Sequence, residues 1–178
     1  MGFRNREIET KLILKSYPSL DSVAIKVQKL FGYKCRDIIV GHSRDTYWKA
    51  PAGAKADFVR LRYFQDGTGQ LTVKFSDRGT NVDRVELDLF IKDPKQARLV
   101  LIQLFGKPVG TVRKKYFVYF LENEHTTISV YKVDGDRRIF VEAEATTNGK
   151  MVRMINRLKK IPWEFYRSDK SLYQLFLS

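Results

Sequence analysis

Five segments of this chain alternate charged with apolar side chains at a period of two, a rhythm that a β-strand turns into two different faces. In the first, between Asn5 and Pro18, Glu7, Glu9 and Lys11 share one phase and Ile8, Thr10 and Leu12 the other. Over 57–65, Arg60, Arg62 and Phe64 alternate with Val59, Leu61 and Tyr63. Over 70–77, Thr72, Lys74 and Ser76 alternate with Leu71, Val73 and Phe75. Arg84, Glu86 and Asp88 oppose Val85, Leu87 and Leu89 over 82–91, and Glu142 and Glu144 oppose Val141, Ala143 and Ala145 over 137–147. Two architectures satisfy the pattern: a barrel apolar inside and wet outside, or one with a polar lumen and an outer wall covered by helices. Alternation alone does not choose between them.

The rest of the chain supplies helices and turns. Residues 19–31 read as a helix, capped by Ser19 or Asp21, striped by Val23, Val27, Leu30 and Phe31, and stopped by Gly32. Asp93-Pro94 opens a second helix that runs to 105, with Gly106 and Pro108 as its stop. Residues 149–160 read as a basic amphipathic helix and 168–177 as a short closing one. Strands are expected over 5–15, 33–40, 43–49, 57–65, 70–77, 82–91, 110–121, 125–133 and 137–147, with Asp66-Gly67-Thr68-Gly69 as a hairpin turn. The expected class is α+β: an eight- to nine-stranded antiparallel β-barrel with a few flanking helices, a single domain over 1–178.

No apolar run approaches the ~18 residues of a membrane span, so no membrane association is expected. Cys35 is the only cysteine, which rules out an internal disulfide and fits a reducing, cytoplasmic compartment. The net charge of +13 implies an anionic partner. The cations are spread over strands rather than gathered in a tail, which suits a lined cavity or a sheet face, and equally an ordinary solubilising surface.

The identity of the charges tips the choice towards a polar lumen. Two Glu-x-Glu strands at opposite ends of the chain offer the hard oxygens that Mg²⁺ or Mn²⁺ prefers. Arg and Lys on the other strands are what a polyphosphate needs. Metal and basic groups together would neutralise the charge that develops in phosphoryl transfer.

At these residues the chain resembles the CYTH superfamily, the triphosphate tunnel metalloenzymes. Glu7-x-Glu9-x-Lys11 is similar to the family's opening signature, and Asp45-Thr46-Tyr47 to its Asp-x-Tyr strand. Arg60 with Leu61-Arg62, Leu71-Thr72-Val73-Lys74, Arg84-x-Glu86 and Val112-Arg113-Lys114 resemble its basic strands. Phe140-Val141-Glu142-Ala143-Glu144 and the tail Ser171–Phe176 resemble its closing elements. The resemblance implies an eight-stranded antiparallel tunnel holding a triphosphate and one or two divalent cations. It implies Glu7, Glu9, Glu86, Glu142 and Glu144 as metal ligands and Lys11, Arg60, Arg62, Lys74, Arg84 and Lys114 as phosphate ligands. Glu7, Glu9, Lys11, Glu142 and Glu144 form the implied catalytic set. The implied activity is metal-dependent hydrolysis of ATP, thiamine triphosphate or tripolyphosphate by a monomer or homodimer. Adenylate cyclisation of the CyaB type, binding without turnover, and an RNA 5′ end as substrate stay open.

Two positions depart from that pattern. Counting back from Val133, Tyr131 stands where the family carries a metal-ligating aspartate, and Tyr116 follows Lys114 where it carries an arginine. Asp134 is in the opposite phase from the missing aspartate. Trp48 can stack on a base or thiamine ring, although half-buried wall is the commoner role of such a tryptophan. His42 and His125 have no ligand neighbours for zinc. The cations Arg153, Arg157, Lys159 and Lys160 suit either a nucleic acid or a solvated helix face.

Overall fold

A computed structural model describes residues 3–32, 35–51, 53–54, 56–76, 83–121 and 126–177, without the side chains of 3–7, 76 and 83–85. The elements follow in the order β1 (Phe3–Leu14), α1 (Leu20–Phe31), β2 (Cys35–Lys49), β3 (Ala56–Tyr63), β4 (Gly69–Ser76), β5 (Asp83–Ile91), α2 (Pro94–Phe105), β6 (Gly110–Leu121), β7 (Thr126–Val133), β8 (Phe140–Ala145), α3 (Asn148–Leu158), β9 (Phe165–Ser168) and α4 (Leu172–Phe176). The nine strands form one antiparallel sheet in the order β5-β4-β3-β2-β6-β7-β8-β1-β9, and β5 also pairs with β1. Nine strands and four helices among the described residues agree with the expected class.

The helix ends follow the residues read for them. Ser19 Oγ accepts from the Ser22 amide at 3.1 Å, and the Asp93 carboxylate accepts from the Lys95 and Gln96 amides at 3.0 Å ahead of Pro94. In the β3–β4 hairpin Asp66 accepts from the Thr68 amide at 2.9 Å, and Gly67 takes φ +84°, a conformation costly for a side chain. Gly69 is demanded by proximity: a Cβ there would lie 2.6 Å from the Arg62 carbonyl oxygen and 2.9 Å from Pro94 Cβ.

Three boundaries differ from the expectation. The runs 33–40 and 43–49 are one strand, because Gly41 and His42 continue the pleat with no proline or turn partner beside them. β9 was not expected. Its four residues are too few to show a period, and it exists by pairing Leu14–Lys11 with Phe165–Ser168. The closing helix starts at Leu172 rather than 168, where Ser171 and Gln174 form a reciprocal capping box.

The chain divides into two compact units, one of 1–6, 42–113 and 170–178, the other of 7–41 and 114–169. In the first, α2 lays Leu101, Ala97, Ile102 and Phe105 on Trp48, Val59 and Leu61 of β2 and β3. In the second, α1 (Val23, Val27, Phe31) and α3 (Met151, Met154, Leu158) cover Leu12, Ile128, Val130, Val141, Ala143 and Ala145 of β1, β7 and β8. Each fully buried Leu, Ile or Val contributes about 2 kcal/mol of apolar transfer energy, so the helix-covered phase holds each unit together. In both units the apolar phase lies under helices and the charged phase is on the other side of the strands, as a polar-lined fold requires.

Candidate functional site

In the second unit the antiparallel register sets the charged phase into rungs. Glu9 of β1 pairs with Glu144 of β8, which pairs with Thr127 of β7. On the next rung Lys11 pairs with Glu142, and Glu142 with Ser129. The Lys11 ammonium lies 2.8 Å from Glu142 Oε1 and 3.6 Å from Glu9 Oε1, and Lys11 is only 3% exposed. Thr127 Oγ1 donates to Glu144 Oε2 at 2.5 Å. Three carboxylates and the Lys11 ammonium thus share this face among the described residues. A patch rich in carboxylates favours a cation, and carboxylate oxygens suit a hard divalent one. The donor chemistry therefore fits Mg²⁺ or Mn²⁺. As arranged, no three His, Cys, Asp or Glu side chains among the described residues are gathered as a ready ligand set, and the Lys11 ammonium stands among the carboxylates.

The third rung is aromatic. Tyr131 pairs with Phe140 on one side and with Tyr116 on the other, which puts Tyr131 in the phase of the carboxylates. Its ring stacks on Phe140 with centroids 5.2 Å apart and planes 6° from parallel, and the Lys114 ammonium sits 4.9 Å from the Tyr131 ring centre. Asp134 is exposed beyond the end of β7 and does not replace the missing carboxylate. Asp136, in the turn that follows, is committed elsewhere. Burial alone would raise its carboxyl, but the hydrogen bonds and charge of Arg138 hold it below its ordinary value. Lys115 points to the opposite side of β6 from Lys114 and reaches Asp21 of α1 at 3.3 Å, as its phase predicts.

The first unit carries a second polar face. Arg62 donates through Nε and Nη2 to both oxygens of Asp45 at 2.8 Å, and Asp45 is fully buried. Arg60 Nη2 donates to Thr72 Oγ1 at 2.9 Å, and that hydroxyl donates to Asp88 at 2.6 Å. Arg60 Nε is buried and finds no acceptor among the described residues. Lys74 is ion-paired with Glu86. At the end of this face Tyr173 of α4 stacks on Phe58 at 5.4 Å, and both rings pack on Tyr47. The carboxylates thus fix the cations' positions, and Arg60 keeps a donor directed at no group among the described residues.

Of the residues expected from sequence, Glu9, Lys11, Lys114, Glu142 and Glu144 lie on one face of the second unit, and Arg60, Arg62, Lys74 and Glu86 on one face of the first. The side chains of Glu7 and Arg84 fall outside the described residues, as does His125. Trp48 is wall: it is fully buried in the α2-facing core and donates Nε1 to the Gly106 carbonyl at 3.1 Å, so it is not a stacking platform. Asp45, Thr72, Asp88 and Thr127 were not in the expected set; their phase within the strands is the signal that finds them.

A family model described as CYTH domain matches residues 5–158. Among solved structures, the PH1012 protein of Pyrococcus horikoshii is similar at 24% identity and a TM-score of 0.71, covering 97% of this chain and 99% of that one. A Hippeastrum protein, HpAC1, described as an adenylyl cyclase candidate with a dominant triphosphatase activity, is similar at 17% identity and 0.68 over 96% and 94%. An adenylate cyclase candidate of Bacillus halodurans is similar at 15% and 0.66 over 97% and 99%. At these identities the likeness is one of fold. No curated protein matches significantly.

Proposed function

The chain belongs to the CYTH family, and on that premise we propose that it hydrolyses an organic or inorganic triphosphate with a divalent cation. The observation that carries this reading is the carboxylate patch: Glu9, Glu142 and Glu144 on the rungs that hold a buried Lys11, on the side of the strands away from the helices. We assign Glu9, Glu142 and Glu144 to hold Mg²⁺ or Mn²⁺, together with Glu7 as the family resemblance implies. When bound, the ion polarises the terminal phosphoryl group. Lys11 and Lys114 contribute fixed positive charge to phosphate oxygens. Arg60, Arg62 and Lys74, with Arg84 by phase, are assigned to the remaining phosphate oxygens, Arg60 through its uncommitted Nε. Glu86, expected as a further metal ligand, is ion-paired with Lys74 on the face of the first unit and would orient that lysine. Such residues act by position and by charge already in place, which is most of what phosphoryl transfer asks of a protein.

The test is a screen of Mg²⁺ and Mn²⁺ against ATP, tripolyphosphate, thiamine triphosphate and 5′-triphosphorylated RNA, scoring phosphate, pyrophosphate and cyclic nucleotide separately. Phosphate release that is abolished by EDTA and falls at least 100-fold in Glu142→Gln supports hydrolysis. Pyrophosphate with a cyclic nucleotide replaces it with cyclisation.

One observation favours a second reading, binding without turnover. Tyr131 and Tyr116 face each other where the family resemblance expects an aspartate and an arginine. Saturable stabilisation by a triphosphate, with no product under either metal, would select it.

A further inference from the structure

On the other side of β1 from Lys11, the second unit has a recess of about 860 Å³, within the ~300–1,000 Å³ of small-molecule sites. Thr10, Leu12, Met151 and Ile161 line it although each is at most 6% exposed, so the floor is recessed and beyond the reach of a flat partner surface. Trp163, ahead of β9, and Phe165, its first residue, also line it. The lining is mostly apolar apart from Thr10 and Asn156, and its charged groups are exposed. Lys15 there holds Glu164 at 2.9 Å, and Arg167 leans to Asp169 at 3.3 Å. Lys159 is exposed and makes no ion pair among the described residues. The rim thus has three cations to two carboxylates, with the Lys159 charge uncompensated.

A narrow apolar floor with a cation at its mouth has the complementarity of a tail and a charged head. We propose that this recess binds a single alkyl chain with an anionic head, a carboxylate or a phosphate, the chain lying over Leu12, Met151 and Ile161 and the head at Lys159. The site is separate from the carboxylate patch, because Thr10 and Leu12 alternate with Glu9 and Lys11 on β1.

Trp163 reports on it locally, since the other of the two tryptophans, Trp48, is fully buried elsewhere. The full-length protein is titrated with dodecanoate, dodecyl phosphate, hexanoate and dodecanol below their aggregation concentrations, by tryptophan fluorescence and by calorimetry. Expected is a saturable fluorescence change with at least one of the two twelve-carbon anions; the tighter one identifies the head. Hexanoate, six methylenes shorter, should bind roughly a thousandfold more weakly. Val152→Glu and Lys159→Glu alter exposed positions at the recess and should each weaken binding at least tenfold, with the melting temperature and triphosphate turnover unchanged. Trp163→Phe should silence the fluorescence while calorimetric binding persists. The proposal is overturned if neither anion binds saturably, if dodecanol or hexanoate binds as well as dodecanoate, or if both charge variants bind like the parent.

Discussion

Lys11→Met removes the ammonium that is ion-paired with Glu142 and Glu9. At an effective dielectric constant near 20, a charge pair at the Lys11–Glu142 distance of 2.8 Å attracts with about 6 kcal/mol, and at the 3.6 Å to Glu9 with about 5 kcal/mol. These are gross figures, offset largely by the desolvation of a side chain only 3% exposed. What the substitution reveals is the cost of leaving carboxylates uncompensated, about 3–5 kcal/mol for a buried pair. Glu142 and Glu9 keep 15% and 11% exposure, so the low end applies: a loss of about 3 kcal/mol, or a fall of about 6–12 °C in melting temperature for a chain of this size. A divalent cation should then substitute for the lost charge. At 100 times its dissociation constant an ion that binds only the folded state adds about 2.7 kcal/mol. It should bind the variant more tightly than the parent, in which the ammonium competes. The assay is urea unfolding of both proteins in EDTA and in rising Mn²⁺. The gap should be about 3 kcal/mol in EDTA and shrink to under about 1 kcal/mol at saturating metal. A variant as stable as the parent in EDTA, or a gap that metal leaves unchanged, refutes the claim that this patch is a cation site held by its own lysine.

Other perturbations should read out separately. Asp45→Ala strands the Arg62 guanidinium that it now binds at two points and should cost about 3 kcal/mol in urea unfolding, whereas Arg62→Lys, which keeps the charge and loses the fork, should cost less. Trp48→Ala should cost about 3–5 kcal/mol by calorimetry with little change in substrate KM beyond the loss of folded protein; a selective rise in KM would restore its stacking role. Gly69→Ala must push the Arg62 backbone or Pro94 aside and should lower stability by about 1–3 kcal/mol on thermal unfolding. Asp136 has a folded value below its ordinary one, so its pairing with Arg138 stabilises above the unfolded value and is lost as pH falls through the folded one. The advantage of the parent over Asp136→Asn should therefore be present at pH 7 and shrink as the pH is taken below the ordinary aspartate value.

The two faces of β1, β3, β4, β5 and β8 were legible because the period of a strand is a local property of the chain. Val59 and Leu61 meet α2, and Val141 and Ala143 meet α1 and α3, on the phase read for them. Helix caps were equally local. What stayed hidden was set across distance or by exception. Lys11 and Glu142 are far apart in sequence, and no local pattern says that one will pair with the other rather than leave its charge for a phosphate. Glu86 has the phase of a ligand, and its ion pair with Lys74 follows from the pairing of β4 with β5 rather than from any local pattern. β9 is too short to carry a period, and Trp48 was ambiguous until its neighbours were known.

Because side is assigned by odd or even position, parity along β8 works as a reading frame. Codon changes at 142 or 144 alter the chemistry and leave the helix-packed wall of Val141, Ala143 and Ala145 intact, while changes at the intervening positions do the reverse. Changes at 142 or 144 are therefore felt on the charged face, where the pairing with Lys11 carries their cost, and not in the helix-packed core. A single inserted or deleted residue within β8 is the opposite kind of event: it exchanges lining and wall downstream of the lesion, and takes both from the descendant at once.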